Sequence, residues 1–367
     1  MTTQSTTATE PLLRVENLQT AFTTERGVLR AVDGVSLTLN RGETLGIVGE
    51  SGSGKSVLGR TIMGLTSNSG STRVTGTVSF DGRDVHAMSS AEHRRLWGPR
   101  VAMVFQDPMT ALNPFKRIGV HLTESLKVHL GLRKAEARSR ATELLRKVGI
   151  PDPARRLDQY PHELSGGMRQ RVVIAMALAC DPELLIADEP TTALDVTVQK
   201  QILDLLESLN DELGMGVILI SHDLGVVAGR ADRVAVMYAG KVVETAAAGE
   251  VFNHPRHPYT EALLASIPRL EQPAHTRLAT IGGGLPDMTR PMPGCRFAAR
   301  CRYAQPTCLE KEPDLLPSPT VDAAATPHSH ACFFPVGTPE GEQALSANAA
   351  AGTTAAGREL ARPEVVA

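Results

Sequence analysis

Residues 48–59 read VGESGSGKSVLG, with glycines at 49, 52 and 54, a lysine at 55 and a hydroxyl at 56. No other stretch restricts the fold as much. Glycines in this pattern allow positive φ and close backbone approach, so successive N–H groups can wrap a small anion. The apolar residues before it (Leu45, Ile47, Val48) predict a buried strand. Those after it (Val57, Leu58, Ile62, Met63) predict a helix whose positive end faces the loop. Gly49, Gly54, Lys55 and Ser56 satisfy the phosphate-binding pattern G-x-x-x-x-G-K-[ST]. The backbone around Ser51, Gly52, Ser53 and Val57 would cradle phosphates. Lys55 would place charge on the β- and γ-phosphates, and the Ser56 hydroxyl would ligate Mg2+. The chain therefore has to place a strand–loop–helix unit at the edge of an α/β sheet.

The stretch LLIADEP (184–190) adds what such a loop lacks. Apolar residues predict a buried strand, and two acids leave its carboxyl end, the edge at which open parallel sheets bind ligands. Asp188 is the candidate Mg2+ ligand. Glu189 is the candidate group for orienting or deprotonating a water at the γ-phosphate. Further on, ELSGGMRQRVVIA (163–175) sets Ser165, Gly166 and Gly167 directly before a helical pattern, which makes a second anion nest at a helix N-terminus.

Two phosphate nests in one chain need an explanation, and the combination resembles the ATP-binding subunits of ABC transporters, whose signature is LSGG. The resemblance implies a head-to-tail dimer, either of two copies or with a second ABC ATPase. In it the glycine-rich loop of one subunit and the signature of the other enclose each ATP. It also implies roles for particular residues. Phe22 falls where the family stacks an aromatic ring on adenine. Gln106, in VAMVFQDP, matches the glutamine that reaches the metal and the attacking water. Asp195, in ALD, matches the acid that faces the other subunit. His222, in LISHDLG, matches the switch histidine at the γ-phosphate. Met168 departs from the glutamine common after the signature glycines, but the nest itself is backbone and serine. The implied fold is an α/β P-loop NTPase core of the ABC-ATPase type. It has a mostly parallel sheet, an antiparallel β subdomain, a helical insert and a small cysteine-containing C-terminal extension.

Alternating strands and helices from 170 to 245 agree with a parallel sheet covered on both faces. Residues 107–165 are charged and helical. Ala137, Ala141, Leu144, Leu145 and Val148 recur at helical spacing there, with Gly149 and Pro151 as stop signals. The chain divides into residues 1–10, expected to be disordered, an ATPase domain over 11–250, a C-terminal domain over 251–335 and a tail over 336–367. The Ala/Gly/Thr/Glu-rich tail is also expected to be disordered. With 38 Lys and Arg against 40 Asp and Glu, no global field argues for nucleic acid. No apolar run approaches the roughly 20 residues of a membrane-spanning helix. The polar N-terminus lacks the regions of a signal peptide.

The segments 254–268 and 292–308 resemble the C-terminal region of oligopeptide/dipeptide importer ATPases. The resemblance implies two integral membrane permeases as partners and, indirectly, an extracytoplasmic solute-binding protein. It places the chain on the cytoplasmic face of the inner membrane, with peptide as cargo and nickel or other small solutes as alternatives. Cys295, Cys301, Cys308 and Cys332 are spaced C-x5-C-x6-C-x23-C. Four thiolates can hold an iron–sulfur cluster or zinc. The spacing leaves a 4Fe–4S cluster, zinc, and free or paired thiols all open, with His328 and His330 as substitute ligands. The resemblance points to the cluster. Two rival functions predict other features: a soluble ABC-type ATPase on nucleic acid or ribosomes would carry paired cassettes or a basic face, and a P-loop kinase would lack the second nest.

Overall fold

The computed structural model describes residues 10–66, 68–192, 194–267, 280–318 and 327–360. The expected disorder of residues 1–10 lies almost wholly outside these, as do Ala193 and the last seven residues of the tail. The central sheet has eight strands. Five are parallel and adjacent, in the order Val101–Val104, Leu184–Asp188, Gly216–Ser221, Thr44–Val48, Arg233–Tyr238. Leu184–Asp188, Gly216–Ser221 and Thr44–Val48 are buried at every position, as both-face coverage requires. Lys241–Ala247 continues the sheet antiparallel. A second, four-stranded antiparallel sheet is built on Leu13–Thr24, Gly27–Leu39 and Thr72–Phe80. The helix Lys55–Ile62 lies between the two sheets, with Leu58 and Ile62 in the core they share.

Helices Ile118–Leu130 and Lys134–Lys147 form the insert and pack against Gly166–Ala177. Ala137, Ala141, Leu144, Leu145 and Val148 are all buried, so the predicted apolar face is the packed one. Gly149 follows in the left-handed region at φ 72° and ends the helix as a C′ residue. Helix Val196–Leu213 is opened by the Asp195 carboxylate, which accepts from Val198 N at 3.0 Å, and closed by Gly214 at φ 60°.

The extension is joined to the ATPase sheet. Ser329–His330 pairs with Lys241–Ala247, and Leu316–Pro317 pairs with Ser329–His330. The tail differs from expectation: Pro339–Ala351 is a helix. Its composition was read as disorder, yet alanine is the best helix former, and the ends are well specified. Thr338 accepts from Gly341 N, proline occupies N1, and Gly352 stands at φ 72°. Asn348 docks it by donating to the carbonyls of Arg302 (2.8 Å) and Ala304 (3.2 Å). Among the described residues no helix is long and apolar enough to cross a membrane.

Candidate functional site

The strand–loop–helix unit forms as the sequence requires. Gly49 has φ 154° and Gly54 φ 103°. A Cβ at Gly49 would stand 2.1 Å from the Met237 carbonyl oxygen, and one at Gly54 2.1 Å from that of Ala31. Backbone atoms cannot yield as a flexible side chain can, so both positions exclude a side chain. Ser51 and Gly52 are exposed at the loop's tip, Ser53 is fully buried, and Val57 packs beneath. Lys55 is buried, and its ammonium donates to the carbonyls of Gly49 (2.7 Å) and Glu50 (2.9 Å). Burial lowers its pKa, while Glu189, Asp188 and Glu50 oppose that shift. The charge is therefore held in the loop by groups that a polyphosphate can outcompete.

Ser56 Oγ donates to Asp188 Oδ1 at 2.8 Å. Asp188 is fully buried, its Oδ2 has no partner, and desolvation raises its pKa. A hydroxyl beside a buried carboxylate with one free oxygen suits a hard, oxygen-seeking cation, so these residues fit Mg2+.

Glu189 follows Asp188 at φ 47°, a left-handed conformation uncommon for a residue with a side chain. Its N–H donates to the Ile220 carbonyl at 3.0 Å. Three groups gather on its Oε2: Gln106 Nε2 at 2.9 Å, Thr192 Oγ1 at 2.9 Å and His222 Nδ1 at 3.1 Å. Gln106 and His222 follow the carboxyl ends of the strands on either side of Leu184–Asp188. The parallel sheet thus brings together three side chains that are 33 and 83 residues apart in sequence. Thr192 was missed by sequence reasoning; its only signal was its place three residues after Glu189, within reach of a turn.

Other predicted residues do not join this group within the chain. Ser165 is exposed and caps its own helix, accepting from Met168 N at 3.3 Å. A Cβ at Gly167 would lie 2.7 Å from Val198 Cγ1, so that side chain would have to shift to admit one. Gly166 leaves 3.6 Å to Leu194. Asp195 is exposed and serves as the helix cap described above. Phe22 is partly exposed on the antiparallel sheet, in register with Leu29 and Thr72.

The four cysteines do converge. Cys295, Cys301, Cys308 and Cys332 line one pocket with His257, Phe297 and Tyr303, and none is in a disulfide. Burial pushes all four thiols up, to about 11 at Cys295, and neighbouring cysteines add to the shift at Cys295, Cys301 and Cys332. The donors are of the right type for a sulfur-ligated centre. As they stand, no three His, Cys, Asp or Glu side chains among the described residues close around a metal position. His328 and His330 are engaged elsewhere. His328 Nε2 lies 2.6 Å from Glu244 Oε1, and His330 Nδ1 lies 3.1 Å from Ser318 Oγ. Glu244 is fully buried and also accepts from the N–H groups of Arg256 and His257, a network that ties the extension to the sheet. Cys180 is half-buried and packs on the main core.

Residues 32–192 match the family described as ABC transporter, and residues 243–308 match the one described as oligopeptide/dipeptide transporter, C-terminal region. The oligopeptide transport ATP-binding protein OppD of Bacillus subtilis is 52% identical over 304 residues, which cover 83% of this chain and 85% of that one. The dipeptide transport ATP-binding protein DppD of Escherichia coli is 51% identical over 304 residues, covering 83% and 92%. Among solved structures, the dimeric post-hydrolysis state of the ATP-binding cassette MJ0796 bound to ADP and Pi superimposes with a TM-score of 0.58 at 29% identity. It covers 64% of this chain and 98% of that one. With this degree of identity over nearly the whole of its relatives, the chain belongs to the ABC transporter ATP-binding subunits, with a C-terminal region of the oligopeptide/dipeptide type.

Proposed function

We propose that this chain is the ATP-hydrolysing subunit that powers peptide import through partner permeases. The observation that carries the reading is the joining, in one chain, of an ABC transporter match with an oligopeptide/dipeptide-type C-terminal region. In this reading Lys55 and the N–H groups of the loop beyond Glu50, up to Ser56, hold the β- and γ-phosphates. Ser56, Asp188 and Gln106 would hold Mg2+, which would supply charge neutralisation at the phosphates. Glu189 orients and deprotonates the attacking water, and His222 senses the γ-phosphate. Gln106, Thr192 and His222 fix the Glu189 carboxylate before nucleotide arrives. Phe22 stacks on adenine. Ser165, Gly166 and Gly167 complete the site of a facing ABC ATPase, and Asp195 lies along that contact. The exposure of the signature serine supports this, because its own chain leaves it open. The insert passes closure of the dimer to two permeases at the cytoplasmic face of the membrane, with a solute-binding protein delivering cargo outside.

Uptake tests the function. Cells lacking the chain should lose uptake of a radiolabelled peptide, and restoring the chain with its permeases should return it. Unchanged peptide uptake with lost nickel uptake would replace the cargo. Phosphate release stimulated by DNA or ribosomes, with no membrane partners co-purifying, would replace the function.

The cysteine pocket belongs to the same reading. Cys295, Cys301, Cys308 and Cys332 would swing onto a 4Fe–4S cluster, or onto zinc, from the shared pocket they line. Such a centre would cross-link the segments of the extension that carry the four cysteines. Anaerobically purified protein should be brown and contain four irons and four acid-labile sulfides per chain. Cys301→Ser should lose both. Colourless protein with one equivalent of zinc would decide for zinc, and metal-free protein would remove the proposal.

A further inference from the structure

Glu50 lies inside the glycine-rich loop, between Gly49 and Ser51, and three of its polar groups are held. Its carboxylate accepts a two-pronged contact from Arg300, Nη1 to Oε2 at 2.6 Å and Nη2 to Oε1 at 2.8 Å. Its N–H donates to the Tyr259 hydroxyl at 2.8 Å. Its carbonyl accepts from Lys55 Nζ at 2.9 Å. Two of these partners come from the extension, 250 and 209 residues away in sequence.

The grip is built rigidly. Arg300 is only 5% exposed, against 28% for Glu50. Its Nε donates to the Gly282 carbonyl at 2.9 Å and its Nη2 to that of Ile281 at 3.1 Å. The guanidinium stands 5.8 Å from the Tyr238 ring centre and 5.9 Å from that of Phe297. Tyr238, Tyr259 and Phe297 pack as a trio, with ring centres 4.6 to 5.3 Å apart. The same stretch sends Arg296 to the Ala239 carbonyl and to Asp33, while Leu285 sits beside Gly52.

A loop that binds a polyphosphate is poorly served by a free carboxylate next to its nest, because like charges there oppose binding. A fork-shaped guanidinium neutralises that carboxylate and also fixes its direction. Tyr259 commits the Glu50 N–H to the protein, which sets where the phosphate-binding run of N–H groups begins.

We propose that Arg300 and Tyr259 are positioning residues of the ATP site: the extension grips Glu50 and holds the glycine-rich loop in its phosphate-binding form. The proposal rests on reading Gly49–Ser56 as a triphosphate cradle. It gives the peptide-type extension a part in nucleotide binding in addition to any metal it carries.

The test is binding of a fluorescent ATP analogue with Mg2+ to the full-length chain. Steady-state hydrolysis in the assembled transporter and thermal unfolding of each variant accompany it. Wild-type binding is the control for the underlying reading; its absence would remove that reading and the grip's part in nucleotide binding with it. Arg300→Met strands the Glu50 carboxylate and should weaken binding about tenfold or more, with the loss falling mainly on KM. Glu50→Gln combined with Arg300→Met removes both charges and should recover affinity to within about threefold of wild type. A merely structural role for Arg300 would move the unfolding temperature and leave the affinity of the folded variant unchanged. Normal binding by folded Arg300→Met, or a double variant as weak as the single one, would overturn the proposal. Should Arg300→Met not fold, Arg300→Lys and Tyr259→Phe decide: each should weaken binding about threefold, and unchanged affinity in both would overturn it.

Discussion

Replacing Glu189 by glutamine should lower phosphate release about a hundredfold to ten-thousandfold, the range of a lost general base, while ATP is still bound. The variant keeps the size of the side chain and a carbonyl oxygen to meet the donors now on Oε2, from Gln106, Thr192 and His222. It removes the negative charge that draws a proton from water. The φ of 47° at Glu189 is set by the backbone, so the amide should occupy the carboxylate's place. In the proposed dimer hydrolysis drives opening, so the same variant should accumulate as an ATP-bound dimer in gel filtration with Mg2+. Single-turnover phosphate release and elution volume together check both statements, and undiminished turnover would remove Glu189 from its role.

Lys55→Met should have the second large effect, on binding. The ammonium is buried and satisfied by the carbonyls of Gly49 and Glu50, so in the free protein it closes the loop on itself. In the proposed site it exchanges these on binding for charged phosphate oxygens. Hydrogen bonds to charged groups contribute about 1.5–3 kcal/mol each, and two of them place the loss at about a hundredfold or more in Kd. Equilibrium titration with a fluorescent ATP analogue measures it, and an affinity within a factor of about three of wild type would contradict the assignment.

Much of this site was legible because phosphate chemistry demands contiguous residues. The loop, LSGG and the DE pair each depend on backbone positions next to one another, and the parallel sheet then gathers the loop and the DE pair at its carboxyl edge. The five buried residues of the insert helix were legible from their period. What escaped lies in long-range pairing. Nothing local marks Arg300 as the partner of Glu50, or Glu244 as the buried acceptor for His328. Thr192 reads as a turn residue until the fold of its turn is known. The helix Pro339–Ala351 was hidden by composition, since alanine-rich sequence with a cap at each end is helical only where something like Asn348 anchors it. The cysteines were legible as a group, but their spacing alone left the metal open.

In the proposed dimer Lys55 of one subunit and Ser165 of another hold the same triphosphate. A structure of the Glu189→Gln transporter trapped with ATP and Mg2+ alongside its permeases decides whether they do. In it the Ser165 hydroxyl and the Gly167 N–H should lie within hydrogen-bond distance of the γ-phosphate held by the facing subunit's glycine-rich loop. Ser165 still capping only its own helix, away from any nucleotide in a fully loaded particle, would contradict it.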